Sequence, residues 1–153
     1  MGSFSFKSSG KTQEQQIVES ITKATVPIGI KTPLRLGEDL FAMNLSLIDQ
    51  VHDNLRNLLQ TNWGEHLGIY NFGANLRPLV TELATQDDFD SQAIQRISAA
   101  VARWMPFVSL DDFLSEVDKT QNQNTGVYNI TITYTIPALN SSQRVLQVTL
   151  YVI

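Results

Sequence analysis

The sequence contains no cysteine. That single absence removes disulfides, thiolate metal sites and cysteine nucleophiles together, so the fold must rest on packing and is indifferent to redox state or suited to a reducing cytosol. Histidine is scarce as well: His52 and His66 are the only two, and without cysteine they supply at most half of a zinc site. Neither belongs to a His-Glu-x-x-His pattern, and no metal is expected. Charge is sparse, with 17% charged residues, a formal net charge of -4 and 11 scattered basic residues. No basic stripe exists to displace counterions from a phosphate backbone, so nucleic acid is not an expected partner. Apolar runs fall well short of the roughly 18 residues that cross a bilayer, and Met1-Gly2-Ser3-Phe4-Ser5-Phe6-Lys7 lacks a signal peptide's apolar stretch. Neither membrane insertion nor export by that route is expected. Phe6 also stands where a myristoylation motif at Gly2 requires Ser or Thr. Gly-x-Ser-x-Gly elbows, phosphate loops and Gly-x-Gly-x-x-Gly turns are all missing, and no cofactor is expected.

What is present suffices for one core: 153 residues, 42% of them hydrophobic. Residues 1–25 read as an N-terminal arm, in which Phe4 and Phe6 alternate and Thr12-Gln13-Glu14-Gln15 has capping-box form ahead of a short helix through Ile17, Val18 and Ile21. Residues 26–153 read as a single domain. Pro27 and Pro33 hold Val26 to Leu34 extended, as a connector.

From Ser46 to Thr61, Leu47, Ile48, Val51, Leu55, Leu58 and Leu59 recur at three and four, with Asp49, Asp53, Asn54 and Asn57 opposite: an amphipathic helix. His52 falls at the edge of that stripe, with a wetted ring nitrogen. Trp63 to Gly73 mixes three glycines with aromatics and predicts a tight loop packed on the core. Leu76, Leu79, Val80 and Leu83 predict a helix with Pro78 in its first turn. Asp90 is placed as the cap of another helix through Ile94, Ile97, Val101 and Trp104, stopped by Pro106.

Beyond Pro106 the period becomes two. Phe107 to Val117 predicts a strand with a bulge near Asp111-Asp112. Tyr128, Ile130, Ile132, Tyr134 and Ile136 alternate with Asn129, Thr131, Thr133 and Thr135, so one face of that strand is buried. Arg144 to Ile153 predicts a third strand with Leu146, Val148, Leu150 and Val152 on one face. Polar turns join the strands at 119–126 and 138–142. Helices first and an antiparallel meander last define an α+β domain.

Glycoside hydrolysis needs only two carboxyl groups across a bond, so Glu65 with Asp49 or Asp53 is the enzyme alternative. The competing reading of Glu65 is a carboxylate that accepts backbone N–H groups or pairs with Arg77 or Arg103.

The stretch Leu58-Leu59-Gln60-Thr61-Asn62-Trp63-Gly64-Glu65-His66 through Phe72-Gly73-Ala74-Asn75-Leu76 resembles the small baseplate wedge family of contractile phage tails, with relatives in type VI secretion and other contractile injection systems. That family's segment is a helix ending in Leu-Leu-x-Thr, then Gly-Glu-Arg, then Phe-Gly and Leu; here Thr61, Gly64-Glu65, Phe72-Gly73 and Leu76 match, and His66 replaces the arginine. The resemblance runs from about Ile28 to Ile153. Where the family carries Glu-Pro-Arg, this chain has Met105-Pro106-Phe107.

The resemblance implies a virion protein of the tail baseplate, assembled in the host cytoplasm, non-catalytic although the family is often labelled lysozyme-like. It implies six copies in a ring, other wedge subunits and their helical core bundle as partners, and the tail tube as a candidate further contact. Docking falls to Gly64, Glu65, His66, Phe72, Gly73, Trp104, Met105, Pro106 and Phe107, with Met105 and Phe107 burying apolar surface in place of the family's charges. The alternative is that Trp104, Met105 and Phe107 fill this domain's own core. The resemblance further implies that tail sheath protein adds strands to the C-terminal sheet, at Tyr128, Ile130, Ile132, Tyr134, Leu146, Val148, Leu150, Val152 and Ile153. The last strand is expected to run to Ile153, with no tail expected to cover its edge.

Overall fold

The structure, a computed structural model, describes residues 26–37, 40–82, 86–119 and 126–151. The N-terminal arm with its capping box, Leu83, the turn at 120–125, and Val152 and Ile153 lie outside the described residues. The chain divides into two compact units, with the boundary between Ser46 and Leu47.

In the first unit, β1 (Gly29–Ile30) and β2 (Met43–Asn44) pair antiparallel. Hydrogen bonds from Ile28 N to Asn44 O and from Lys31 N to Ala42 O, both 2.9 Å, lengthen this ribbon beyond the four strand residues. The expected extended connector is therefore one side of a ribbon. Its partner, Met43-Asn44, is too short to show a period of two.

The second unit is α+β, as expected: α1 (Leu47–Gln60), α2 (Arg77–Glu82) and α3 (Gln86–Trp104) precede β3 (Ser109–Lys119), β4 (Gly126–Thr135) and β5 (Arg144–Tyr151). The sheet is antiparallel in the order β3-β4-β5. Burial follows the two periodicities. Val51, Leu55, Leu58 and Leu59 of α1 meet Leu76, Leu79 and Val80 from the α2 region and Phe89, Ala93, Ile97, Ala100 and Val101 of α3. Ile130, Ile132 and Tyr134 of β4, with Ile136 beyond it, and Leu146 and Val148 of β5 close the same core from the sheet side.

Several positions depart from the helical pattern, each for a physical reason. Leu47, expected in the stripe, is half exposed at the first turn of α1. Asp53, expected on the wet face, is buried and pairs with Arg56 one turn on (3.6 Å). Asp90 does not cap α3, which begins at Gln86; instead its carboxylate accepts a hydrogen bond from the Ser115 hydroxyl and so ties α3 to β3. The missed first contact of α3 is Phe89, fully buried against Tyr128 with ring centroids 4.5 Å apart. Its stripe is Phe89, Ala93, Ile97 and Val101, and the expected Ile94 turns outward.

The sheet carries the expected bulge: the β3–β4 register shifts between Leu110 and Asp112. β4 pairs on both sides, Thr133 facing Asp112 on β3 and Val145 on β5. Tyr128, Ile130, Ile132 and Tyr134, expected among strand-accepting residues, thus lie on the central strand, and an added strand can meet only β3 or β5. Between β4 and β5 the polar turn includes one turn of 3-10 helix at Pro137–Leu139, ended by Asn140 in the left-handed conformation (φ 46). Ser141 Oγ accepts the Ile136 N–H there at 2.9 Å.

Leu55→Ala should lower unfolding free energy by about 3 kcal/mol, while Leu47→Ala should cost less than about 1 kcal/mol. Urea denaturation of the two variants measures both, and equal losses would contradict the face assigned to α1.

Candidate functional site

The segment between α1 and α2 closes on itself. Ala74 N donates to Leu58 O (3.0 Å) and Asn75 N to Thr61 O (3.3 Å), so the loop's end satisfies carbonyls at the C-terminus of α1 that the helix leaves open. Gly73 permits this approach. It has φ 105, and a Cβ there would lie 2.1 Å from Thr61 O, so no other residue fits without moving backbone. Gly64, at φ 86, lets its N–H reach Tyr70 O at 2.7 Å across the loop. The side chain of Asn62 then links three elements: its Oδ1 accepts the N–H of Arg77, the first residue of α2, at 3.2 Å, and its Nδ2 donates to Glu65 at 3.0 Å.

Glu65 is therefore a structural carboxylate. It accepts from Asn62 N at 2.7 Å, and these hydrogen bonds hold its carboxyl below the usual range, the opposite of what a general acid needs. Of the two arginines expected as partners, Arg77 is the one found, at 3.8 Å. Asp49, one of the two proposed catalytic partners, sits at the start of α1, about 16 Å along the helix from its end, far beyond the separation of a glycosidase pair. Its carboxylate is bound to Arg144 at 2.9 Å. Asp53 is buried beside Arg56.

His66, Phe72 and Trp104 form a ring ladder, with centroids 4.7 Å and 5.3 Å apart. Arg103 lies 5.0 Å over the Trp104 ring, and with the Asn71 amide oxygen turned toward it donates to that oxygen at 2.9 and 3.0 Å. Trp63 and Tyr70 stand largely exposed above a groove of about 600 Å³ between this loop and α3, which Arg96, Arg103 and Trp104 also line. The resemblance-derived docking set is thus brought together in part. Gly64 and Gly73 act through backbone, and Pro106 is exposed next to Phe107 (46% exposed). Met105, at 6%, belongs to the chain's own core, so apolar docking through its side chain is not available.

A polar network at the core's edge was not anticipated. His52 Nδ1 lies 2.7 Å from Tyr134 Oη and its Nε2 lies 3.0 Å from Arg56 Nη2. Guanidinium can only donate, so Nε2 accepts, Nδ1 carries the proton and donates to Tyr134, and the ring is neutral. Neither nitrogen is simply wetted, contrary to the expected edge residue. Burial, then Arg56, lowers the His52 pKa, and burial raises that of Tyr134. Arg144, the first residue of β5, bonds Tyr134 as well as Asp49, so the network joins α1, β4 and β5.

The two outer edges of the sheet differ. Among the described residues, neither pairs with another strand. β3 is broken by the bulge and carries exposed Asp111, Asp112 and Glu116. β5 pairs without a register shift from Arg144 to Tyr151, contains no acidic residue, and exposes Val145 and Tyr151. Leu146 and Val148 are buried, Leu150 is partly buried, and the Thr149 hydroxyl donates to Asn129 Oδ1 at 2.9 Å, fixing the register. Among the described residues, no cluster of three or more His, Asp or Glu side chains could hold a metal ion, and no helix is long and apolar enough to cross a membrane.

The fold, a layer of helices on a three-stranded antiparallel meander, is similar to that of two solved structures. A candidate tail lysozyme from Geobacter sulfurreducens superposes with a TM-score of 0.58 at 19% identity, over 73% of this chain and 97% of that one. A chain of the anti-feeding prophage baseplate superposes at 0.51 and 19% identity, over 79% of this chain and 82% of that one. No curated protein matches the sequence. The sequence family described as Baseplate wedge protein gp25 matches residues 45–141, and the chain belongs to that family.

Gly73→Ala should destabilise the fold by at least about 2 kcal/mol in urea unfolding, through left-handed strain and the clash with Thr61. A neutral effect would contradict the loop closure. The lowered His52 pKa has a second consequence. The folded chain disfavours the imidazolium that the unfolded chain takes up near 6.5, so stability is full above that value and falls as pH drops through it. The groups facing the ring are Arg56, Asp53 and Asp49 of α1, Tyr134 of β4 and Arg144 of β5. Unfolding free energy should decline between pH 7.5 and 5.5, and His52→Gln should flatten that decline; an unchanged slope would contradict the network.

Proposed function

We propose that the chain is a non-catalytic structural subunit of a contractile-tail baseplate that docks on the wedge core and templates the tail sheath by accepting a strand on β5. Family membership supports the baseplate role. The observation that carries the templating reading is the contrast between the two sheet edges. Natural sheets blunt their free edges with bulges and charge, and β3 has both. β5 has no bulge and no acidic residue, its one charge, Arg144 at the strand's start, being paired with Asp49, and an open, regular edge of this kind is a hazard unless a partner is meant to occupy it.

Docking would use the surface formed by His66, Phe72, Trp104 and exposed Phe107, with the adjoining groove under Trp63 and Tyr70 accepting a helix of the core bundle. Exposed tryptophan, tyrosine and arginine are the residue types that dominate binding energy at such surfaces. The Glu65 geometry weighs against the hydrolase reading, because its carboxylate is held ionised by Asn62.

Each inter-strand hydrogen bond contributes about 0.5–1.5 kcal/mol net, so one added strand binds weakly. The anti-feeding prophage baseplate was solved with 6-fold symmetry. Six copies of this chain in a like ring would raise the effective concentration of each further contact, so sheath would start only on a completed baseplate.

Neighbouring residues of a strand present their N–H groups to opposite sides. Of Thr149→Pro and Leu150→Pro, one therefore deletes a bond to β4 and the other an outward donor. The outward variant, recognised by a melting temperature near wild type, should enter baseplates yet leave bare tubes in electron micrographs. Normal sheaths on those tails would refute strand addition at β5. The central Thr133 cannot serve for this test, since proline there breaks pairing within the fold.

A further inference from the structure

A groove of about 470 Å³ is lined by Thr149, Leu150 and Tyr151 of β5. Consecutive strand residues point to opposite faces, so a cavity touching all three lies along the strand's edge, where a neighbouring backbone would run. Its other wall comes from Gln60 and Asn62 at the end of α1 and from Arg77 and Thr81 of α2. Among the described residues lining it there is no carboxylate, and the one formal charge is the Arg77 guanidinium.

Arg77 is poised rather than committed. Its ion pair with Glu65 is long, at 3.8 Å, and both side chains are exposed, 73% and 46%, so solvent screens it and little is lost when it opens. Glu65 keeps its two hydrogen bonds from Asn62 in that event. The backbone N–H of Arg77 is held by Asn62 Oδ1, so the residue stays at the groove whatever its side chain does.

We propose that the extended segment accepted by β5 carries an Asp or Glu side chain near the Thr149–Tyr151 end, and that Arg77 captures it. This rests on the reading of β5 as the accepting edge. Main-chain bonds alone are indifferent to sequence and allow slippage in steps of two residues; one such slip moves a side chain by about 6.8 Å, beyond ion-pair reach. Arg77 therefore selects both the partner and its register, with the main chain of β5 supplying affinity.

The experiment uses whole tails assembled with Arg77→Lys, Arg77→Glu or the outward-facing proline variant, scored for sheathed against bare tubes. Incorporation into baseplates is confirmed by mass spectrometry, and folding by thermal melts. Arg77→Glu is expected to reduce sheathed tails at least tenfold while baseplates form, and Arg77→Lys to keep most of them. Replacing the partner's acidic residue by Lys should restore sheaths on Arg77→Glu baseplates. If Arg77→Glu tails sheathe normally while the proline variant leaves bare tubes, the capture by Arg77 is wrong and strand addition stands. If the proline variant also sheathes normally, both fall.

Discussion

The constraint on which the structure depends is the one-sided burial of β4. Ile130, Ile132, Tyr134 and, just past the strand, Ile136 all face the helices, and a slip of one residue in either ladder would turn that set to solvent. Flanked on both sides, β4 fixes the register of β3 and β5 in turn. Two polar ties reinforce it: Ser115 with Asp90 from α3, and Tyr134 with His52 of α1 and Arg144 of β5. A three-stranded sheet with one covered face and a rigid middle strand leaves two edges. Their chemistry differs: β3 is acidic and bulged, and β5 is regular and free of acidic residues.

Much of this was legible in the chain itself because burial imposes a period. The α1 stripe, the bulge at Asp111-Asp112 and the alternation from Tyr128 to Ile136 follow from side-chain spacing alone. The family segment around Gly64-Glu65 and Phe72-Gly73 was legible for another reason: glycines forced into left-handed backbone leave few alternatives. Gly73 is the clearest, since the approach to Thr61 admits no side chain.

The failures have a common physical origin, in that polar side chains are assigned by their partners and not by spacing. Asp53 reads as a surface residue until Arg56 is placed beside it, and Asp90 reads as a cap until Ser115 arrives from a strand distant in sequence. His52 could not be placed without Tyr134, a partner 82 residues away. Met105 and Phe107 are indistinguishable by type, yet the turn after α3 buries one and exposes the other. Edge identity was equally hidden, because strand order is a property of pairing, and only that order makes β4 central.

The loop between α1 and α2 and the open strand are physically continuous. Asn62 holds Glu65 and the start of α2, α2 presents Arg77, and Arg77 stands on the groove beside Thr149 to Tyr151. The most direct measurement is a cryo-EM reconstruction of the assembled tail, resolved well enough to trace backbone at the first sheath ring. The account predicts a foreign strand hydrogen-bonded along β5. A strand on β3 instead, or a sheath ring seated without any strand joined to this sheet, would contradict it.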